Sequence, residues 1–164
     1  MLRNLLLMFG LLVLAAMALP ARAQDQAELF GGFSYLRFNS PPGVNQNGWQ
    51  LGGQYKFRDW VGGVADFAGN YGSGASTYTY LFGPQISMPS SRVSPFGHLL
   101  LGGAHFGAGR IGESSFSMAL GGGIDVHITD QVFWRAAQLD YLLTEFGGAS
   151  QNNFRFSTGI VVRF

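Results

Sequence analysis

The residue types that could do chemistry are few in this chain of 164 residues, and their spacing argues against most of it. Gly107-Ala-Gly109-Arg-Ile-Gly112 spells a dinucleotide fingerprint and comes after a strand-like stretch. That motif works by aiming a helix N-terminus at a pyrophosphate, and the next segment here, Phe116-x-Met118-x-Leu120, is strand-like. It is a glycine-rich connection. His98, His105 and His127 have no mutual spacing of two or four residues, and a metal centre needs about three converging ligands. His105, Glu113 and Ser114 or Ser115 are the types that nucleophilic ester cleavage uses, but such a set is recognised by geometry and not by nearness in sequence. Cysteine is absent, which removes disulfides, thiolate metal sites and a lipid-anchored N-terminus. The expectation is a protein that is not an enzyme, with no cofactor and no metal.

The positions of the charges say more. Glu28, Lys56, Asp66, Asp125, Asp140, Arg155 and Arg163 share a face with Gln50, Gln54 and Gln138 wherever the local pattern can be read. Charged residues make up 12% of the chain and aromatics 15%. A soluble domain carries about 25% charge, so sparse charges with many rings imply an outer surface that meets something apolar. Without Arg3 and Arg22, which lie in an N-terminal leader, 8 basic residues stand against 9 acidic ones, giving no electrostatic case for nucleic acid.

Met1 to Ala23 reads as a secretory signal: Arg3, an apolar run from Leu5 to Leu19, then Ala21-Arg22-Ala23 before cleavage at Gln24. The run of about 15 apolar residues is short of the roughly 20 that span a bilayer as a helix. The expected division is residues 1–23 as signal peptide and 24–164 as one barrel domain, exported through the periplasm.

The elements that must position the charges are strands of period 2. Trp49, Leu51, Gly53, Tyr55 and Phe57 oppose Gly48, Gln50, Gly52, Gln54 and Lys56. Phe116 to Ile128 and Phe154 to Phe164 alternate as clearly. Five further stretches fit: Glu28–Arg37, Val61–Tyr71, Thr77–Met88, Val93–Phe106 and Val132–Leu143. Val93–Phe106 is apolar on both parities; we orient it with His98, Gly102 and Ala104 inward. In Val132–Leu143, Arg135 and Gln138 have opposite parity, so either a bulge resets the phase or Arg135 sits at a membrane boundary. Strands of about 10–14 residues exceed the 5–6 common in soluble sheets and suit a membrane wall. The polar-facing set is rich in Gly, Ser and Ala, as a crowded lumen requires, and about eight strands leave an interior that side chains can fill.

Tight links are expected near Arg58-Asp59, Pro89-Ser90-Ser91 and Thr129-Asp130. Longer loops are expected at Asn39–Asn47, Gly72–Ser76, Gly107–Ser114 and Thr144–Asn152, the alternation of an up-and-down outer-membrane barrel. Tyr35, Trp49, Phe57, Trp60, Tyr71, Tyr78 and Trp134, with Phe38 and Phe133, lie toward strand ends as interfacial belts do.

Gly31-Gly32-Phe33-Ser34-Tyr35, Gly83-Pro84, Pro95-Phe96, Gly102-Gly103, Gln138-Leu-Asp140-Tyr141 and the closing Phe156-Ser-Thr-Gly-Ile-Val-Val-Arg-Phe164 resemble the small outer-membrane β-barrel domain of the OmpA-like and OmpX-like family. The resemblance runs over the whole mature chain. It implies an eight-stranded antiparallel transmembrane barrel in the Gram-negative outer membrane, in contact with lipid and lipopolysaccharide. It also implies that Phe164, with Val162, Ile160 and Phe156, is read by the assembly machinery. The peptidoglycan-binding domain that continues the chain after the barrel in OmpA has no counterpart before Phe164. The expected role is structural or interactive, through the loops at Ser40–Gln46, Gly107–Ser114 and Phe146–Asn152, with an extracellular partner left open. The alternatives are a narrow pore for small solutes and, further off, a lipid A-modifying enzyme.

Overall fold

The computed structural model describes residues 26–39, 43–72, 74–108, 111–146 and 149–164. The signal peptide, its cleavage site, and the loop residues Ser40, Gly109, Arg110, Gly147 and Gly148 lie outside them.

Eight strands succeed one another: β1 (Ala27–Phe38), β2 (Val44–Arg58), β3 (Val61–Gly72), β4 (Ala75–Ser87), β5 (Val93–Ala108), β6 (Ile111–His127), β7 (Val132–Phe146) and β8 (Ala149–Arg163). Each pairs antiparallel with its neighbour, and β8 pairs back onto β1, so the sheet closes into a barrel. Closure removes the sheet edges over the span that all eight ladders share, where backbone groups are met inside the wall. Phe164 completes the seam through its N–H, which donates to the carbonyl of Ala27 at 2.8 Å.

The register fixes the shape. A path along ladder partners round the barrel from Gln46, through Leu36, Arg155, Asp140, Gly121, His98, Gln85 and Gly62, returns to β2 at Lys56, ten residues from the start. With strands about 4.8 Å apart and a rise of about 3.3 Å per residue, that shear over eight strands tilts them about 40°. A barrel this narrow has a core made of side chains.

Two bulges adjust the phase. One lies between Lys56 and Arg58. The other falls at Ala136-Ala137, where Ile124 pairs with Ala137 but the next residue, Asp125, pairs with Arg135. It resolves the phase of β7: Arg135 and Gln138 both face inward, because two residues of β7 oppose one step of β6. On β5, His98 and Ala104 are buried and Gly102 shares their inward parity.

The connections differ from expectation. At the end where Ala27 and Phe164 meet, the terminal end, the links are tight as expected. At the other, distal end they are tight as well: 39–43, 73–74, 109–110 and 147–148. Gly43 and Gly74 supply positive φ there. The segments read as loops are mostly strand, β2 starting at Val44, β5 and β6 running to Ala108 and from Ile111, β7 and β8 to Phe146 and from Ala149. Glycine, serine and asparagine weaken a strand, but an antiparallel partner already in register carries the ladder through them. The β5–β6 hairpin rises highest: its ladder reaches Ala108–Ile111, whereas the β6–β7 ladder begins at Ser117–Thr144.

Candidate functional site

The lumen holds most of the chain's functional side-chain types. Alternation turns Glu28, Gln50, Gln54, Lys56, Asp66, Asp125, Gln138, Asp140 and Arg155 inward, all buried, with Arg163 half-buried at the terminal end. They form two groups.

The central group is built on Arg155 of β8, which is 1% exposed. Its Nε and Nη2 donate to Asp140 Oδ2 at 2.8 and 2.6 Å, and its Nη1 donates to Asp66 Oδ1 at 2.8 Å. Asp140 also accepts from Gln138 Nε2 and meets His98 Nε2, each at 2.9 Å. Gln50 donates to Asp66 and accepts from Ser157. Gln138 carries the chain onward, its Oε1 accepting from Arg135 Nη1 at 2.9 Å. Arg135 makes a two-pronged bond to Asp125 (2.8 and 3.0 Å) and lies between the rings of Phe30 and Phe96, 4.5 and 4.2 Å from their centroids. One linked set of charges thereby ties together strands on both sides of the barrel. Gly121 leaves room for it: a Cβ there would collide with Asp140 Oδ1 and the Leu139 carbonyl.

The second group closes the terminal end. Glu28 Oε1 accepts from both Lys56 Nζ and Arg163, and Arg163 covers the ring of Phe133 at 4.1 Å. Between the groups lies a narrow cavity lined by Glu28, Gln54, Asp66, Gln85, His98 and Arg135 among others. Gln85 donates to Gln54 Oε1 at 2.8 Å, while Gln54 Nε2 and His98 Nδ1 have no hydrogen-bond partner among the described residues.

Toward the distal end an apolar cluster joins the polar lining. Leu36, Phe38, Leu81, Leu100, Ala119 and Leu142 form one buried cluster drawn from β1, β4, β5, β6 and β7. Leu81 and Leu100 are 0% exposed, with buried Gln46, Thr77, Ser117 and Asn153 around the cluster. Beside this cluster Asn70 bonds Ser34 and Asn153 bonds Thr144.

Sequence reasoning puts His98, Asn70, Gln85 and Ser157 on the inward parity without naming them as members of the polar network, and leaves Arg135 undecided. For Arg135 the parity clash with Gln138 leaves a bulge and a membrane boundary open, and the bulge is the one found. Phe38 and Phe133 correct the belt: both turn inward, at 7% and 3% exposure, because each shares the parity of an inward neighbour, Leu36 and Arg135.

The outer wall is the reverse of the lumen. Tyr35, Trp49, Tyr71 and Tyr78 face outward toward the distal end, and Phe57, Trp60 and Trp134 toward the terminal end. Trp49 lies over Gly69 and donates to Tyr71 Oη at 3.4 Å; Tyr71 and Tyr78 meet edge to face. Between the two girdles stand Leu51, Phe67, Phe82, Leu99, Leu101, Leu120, Leu139 and Ile160, all outward. Among the described strand residues of outward parity the charged ones are Arg37, Arg58 and Glu145, each near a strand end. Phe156, Ile160, Val162 and Phe164 continue this wall along β8. Of the ester-cleavage types, His105 Nδ1 and Ser114 Oγ are 2.8 Å apart on the exposed outer face of the β5–β6 hairpin. Glu113 pairs in register with Phe106 and has the other parity.

No protein-family model matches the chain, and no curated protein matches its sequence. Solved structures do. Neisserial surface protein A (NspA) is similar over 84% of this chain and 97% of its own, at 12% identity and a TM-score of 0.73. Ail, the attachment invasion locus protein of Yersinia pestis, gives 18% identity and a TM-score of 0.54 over 84% of this chain and 99% of its own. The N-terminal β-barrel domain of Pseudomonas aeruginosa OprF gives 12% and 0.55 over 84% and 98%. At these identities the likeness is one of architecture: this chain has the fold of the small eight-stranded outer-membrane barrels.

Proposed function

We propose that the protein is an outer-membrane β-barrel with a filled, non-conducting lumen, acting as a structural or interaction element through the distal rim. The observation that carries this is the inversion of inside and outside. Charges are buried and mutually paired in the lumen, while a tall apolar wall flanked by aromatic girdles is exposed. A water-soluble barrel has no use for that arrangement; a lipid bilayer demands it. The shared fold with NspA, Ail and the OprF domain supports the location, and the name of Ail supports a role in contact. The export leader supports a periplasmic route, with the terminal end facing the periplasm and Phe164 presented to the assembly machinery.

The pore alternative is weakened by the leucine layer. The enzyme alternative keeps one observation, the His105–Ser114 pair, and Glu113 has the opposite parity to it. Unchanged lipid A masses after overexpression would dispose of it.

Fractionation of cells expressing the full chain tests the main reading. The protein is expected in the outer membrane, with different gel mobility before and after boiling. Recovery from the soluble periplasm with unchanged mobility would overturn it. Photo-crosslinkers at Gly107 and Asn152, on the distal hairpins, would then report what touches that rim in intact cells.

A further inference from the structure

Two rings cross the distal lumen. Phe38, the last residue of β1, and Phe106, two residues from the end of β5, meet edge to face, with centroids 6.4 Å apart and planes at 77°. In the closed sheet β1 and β5 are four strands apart either way round, so the pair bridges opposite walls. Each ring has a polar partner across the ladder: Asn153 of β8 beside Phe38, and Thr77 of β4 beside Phe106. Gln46 of β2, which pairs with Leu36, and Ser117 of β6, which pairs with Thr144, are inward residues of the same end.

Gln46, Thr77, Ser117 and Asn153 are at most 2% exposed. Five of their polar atoms have no hydrogen-bond partner among the described residues: both ends of the Gln46 carboxamide, Thr77 Oγ1, Ser117 Oγ and Asn153 Oδ1. Buried polar groups in folded proteins are nearly always bonded to protein or ordered water, because an unserved group keeps its full desolvation cost. None of these four side chains is charged, so their partner needs no charge. It must donate to Gln46 Oε1 and Asn153 Oδ1, accept from Gln46 Nε2 and serve two hydroxyls. Water does all of this.

We propose that the distal lumen is a closed hydration site, in which water bonds Gln46, Thr77, Ser117 and Asn153, and that the Phe38–Phe106 pair is its lid. Aromatic rings close the mouth without offering a polar group of their own, and a rotamer change of one ring opens it. This goes beyond the filled-lumen reading: part of the filling is solvent, held in place and not conducted.

The test uses the leaderless barrel refolded into phosphatidylcholine nanodiscs, with water itself as the probe, read by NMR. The carboxamide protons of Gln46, assigned by their loss in Gln46→Leu, should show rotating-frame cross-peaks to water in the parent and exchange slowly after transfer to D2O. Phe106→Ala should speed that exchange about tenfold, as local opening of a protected site does. Phe116→Ala, on the exposed outer face of β6, should leave it at the parental rate. Gln46→Leu should not raise the urea midpoint, because the amide it replaces is already served. The proposal is overturned if the Gln46 carboxamide shows no water contact in the parent, if Phe106→Ala exchanges at the parental rate, or if Gln46→Leu stabilises the barrel, as replacing a dry, unserved amide would. Boiled and unboiled mobility of each variant reports folding separately. Should Phe106→Ala fail to fold, Phe38→Leu opens the same lid with less loss of bulk and is held to the same faster exchange. A dry Gln46 in a parent with intact heat modifiability sinks this site and leaves the barrel standing.

Discussion

Arg37 and Arg155 sit on neighbouring strands, almost at the same level: Arg37 pairs across the ladder with Phe154, and the next residue is Arg155. One points out of the wall and the other into it. Arg155 is enclosed and holds two aspartates, Asp66 and Asp140. Arg37 is exposed and, among the described residues, holds none. The same side chain is thus solved in two ways by one β-period. Inside, where no solvent reaches, the protein must supply the counter-charge. Outside, at the rim, the surroundings supply it.

The largest test of that contrast removes the inner arginine. Arg155→Met leaves Asp66 and Asp140 buried without their cation, and breaking such a pair costs about 3–5 kcal/mol. Urea unfolding of the refolded barrel, monitored by tryptophan fluorescence, should show that loss or a failure to refold. A wild-type midpoint would mean that the network contributes nothing. Next comes the apolar layer. Leu100→Ala removes a fully buried side chain from the cluster with Leu36, Leu81 and Leu142 and should cost about 2–5 kcal/mol by the same assay. Gly121→Ala should cost about 1–3 kcal/mol, because its Cβ meets Asp140 Oδ1 and backbone. Gly97→Ala on the same ladder is the comparison, since its nearest contact is an ordinary 3.7 Å and its loss should be far smaller. Arg37→Gln should shift stability least, by about 0–1 kcal/mol, as rim charges do. A large loss there would mean that Arg37 holds the wall together rather than facing lipid.

Much of this was legible because the pleat enforces period 2. Trp49 through Phe57 declares one apolar and one polar face, and closure is the natural outcome of eight such segments joined by short links. The features that escaped or were left open are those period 2 alone cannot settle. Ala136-Ala137 looks like any small pair, yet the extra residue between the phases is what turns Arg135 into the lumen between Phe30 and Phe96. The distal loops escaped for a related reason. Composition marks Gly107–Ser114 as irregular, but pairing is decided by the partner strand, and β5 and β6 continue together to Ala108 and Ile111. Phe38 and Phe133 were placed by nearness to a strand end, which says nothing of which face they take.

The filled lumen is the central claim, and conductance across a planar bilayer addresses it most directly. The parent barrel should show no steady single-channel current, since the Arg155 and Glu28 groups and the packed Leu36, Leu81, Leu100 and Leu142 fill the lumen. A steady, ohmic channel from the purified, refolded protein would contradict the account.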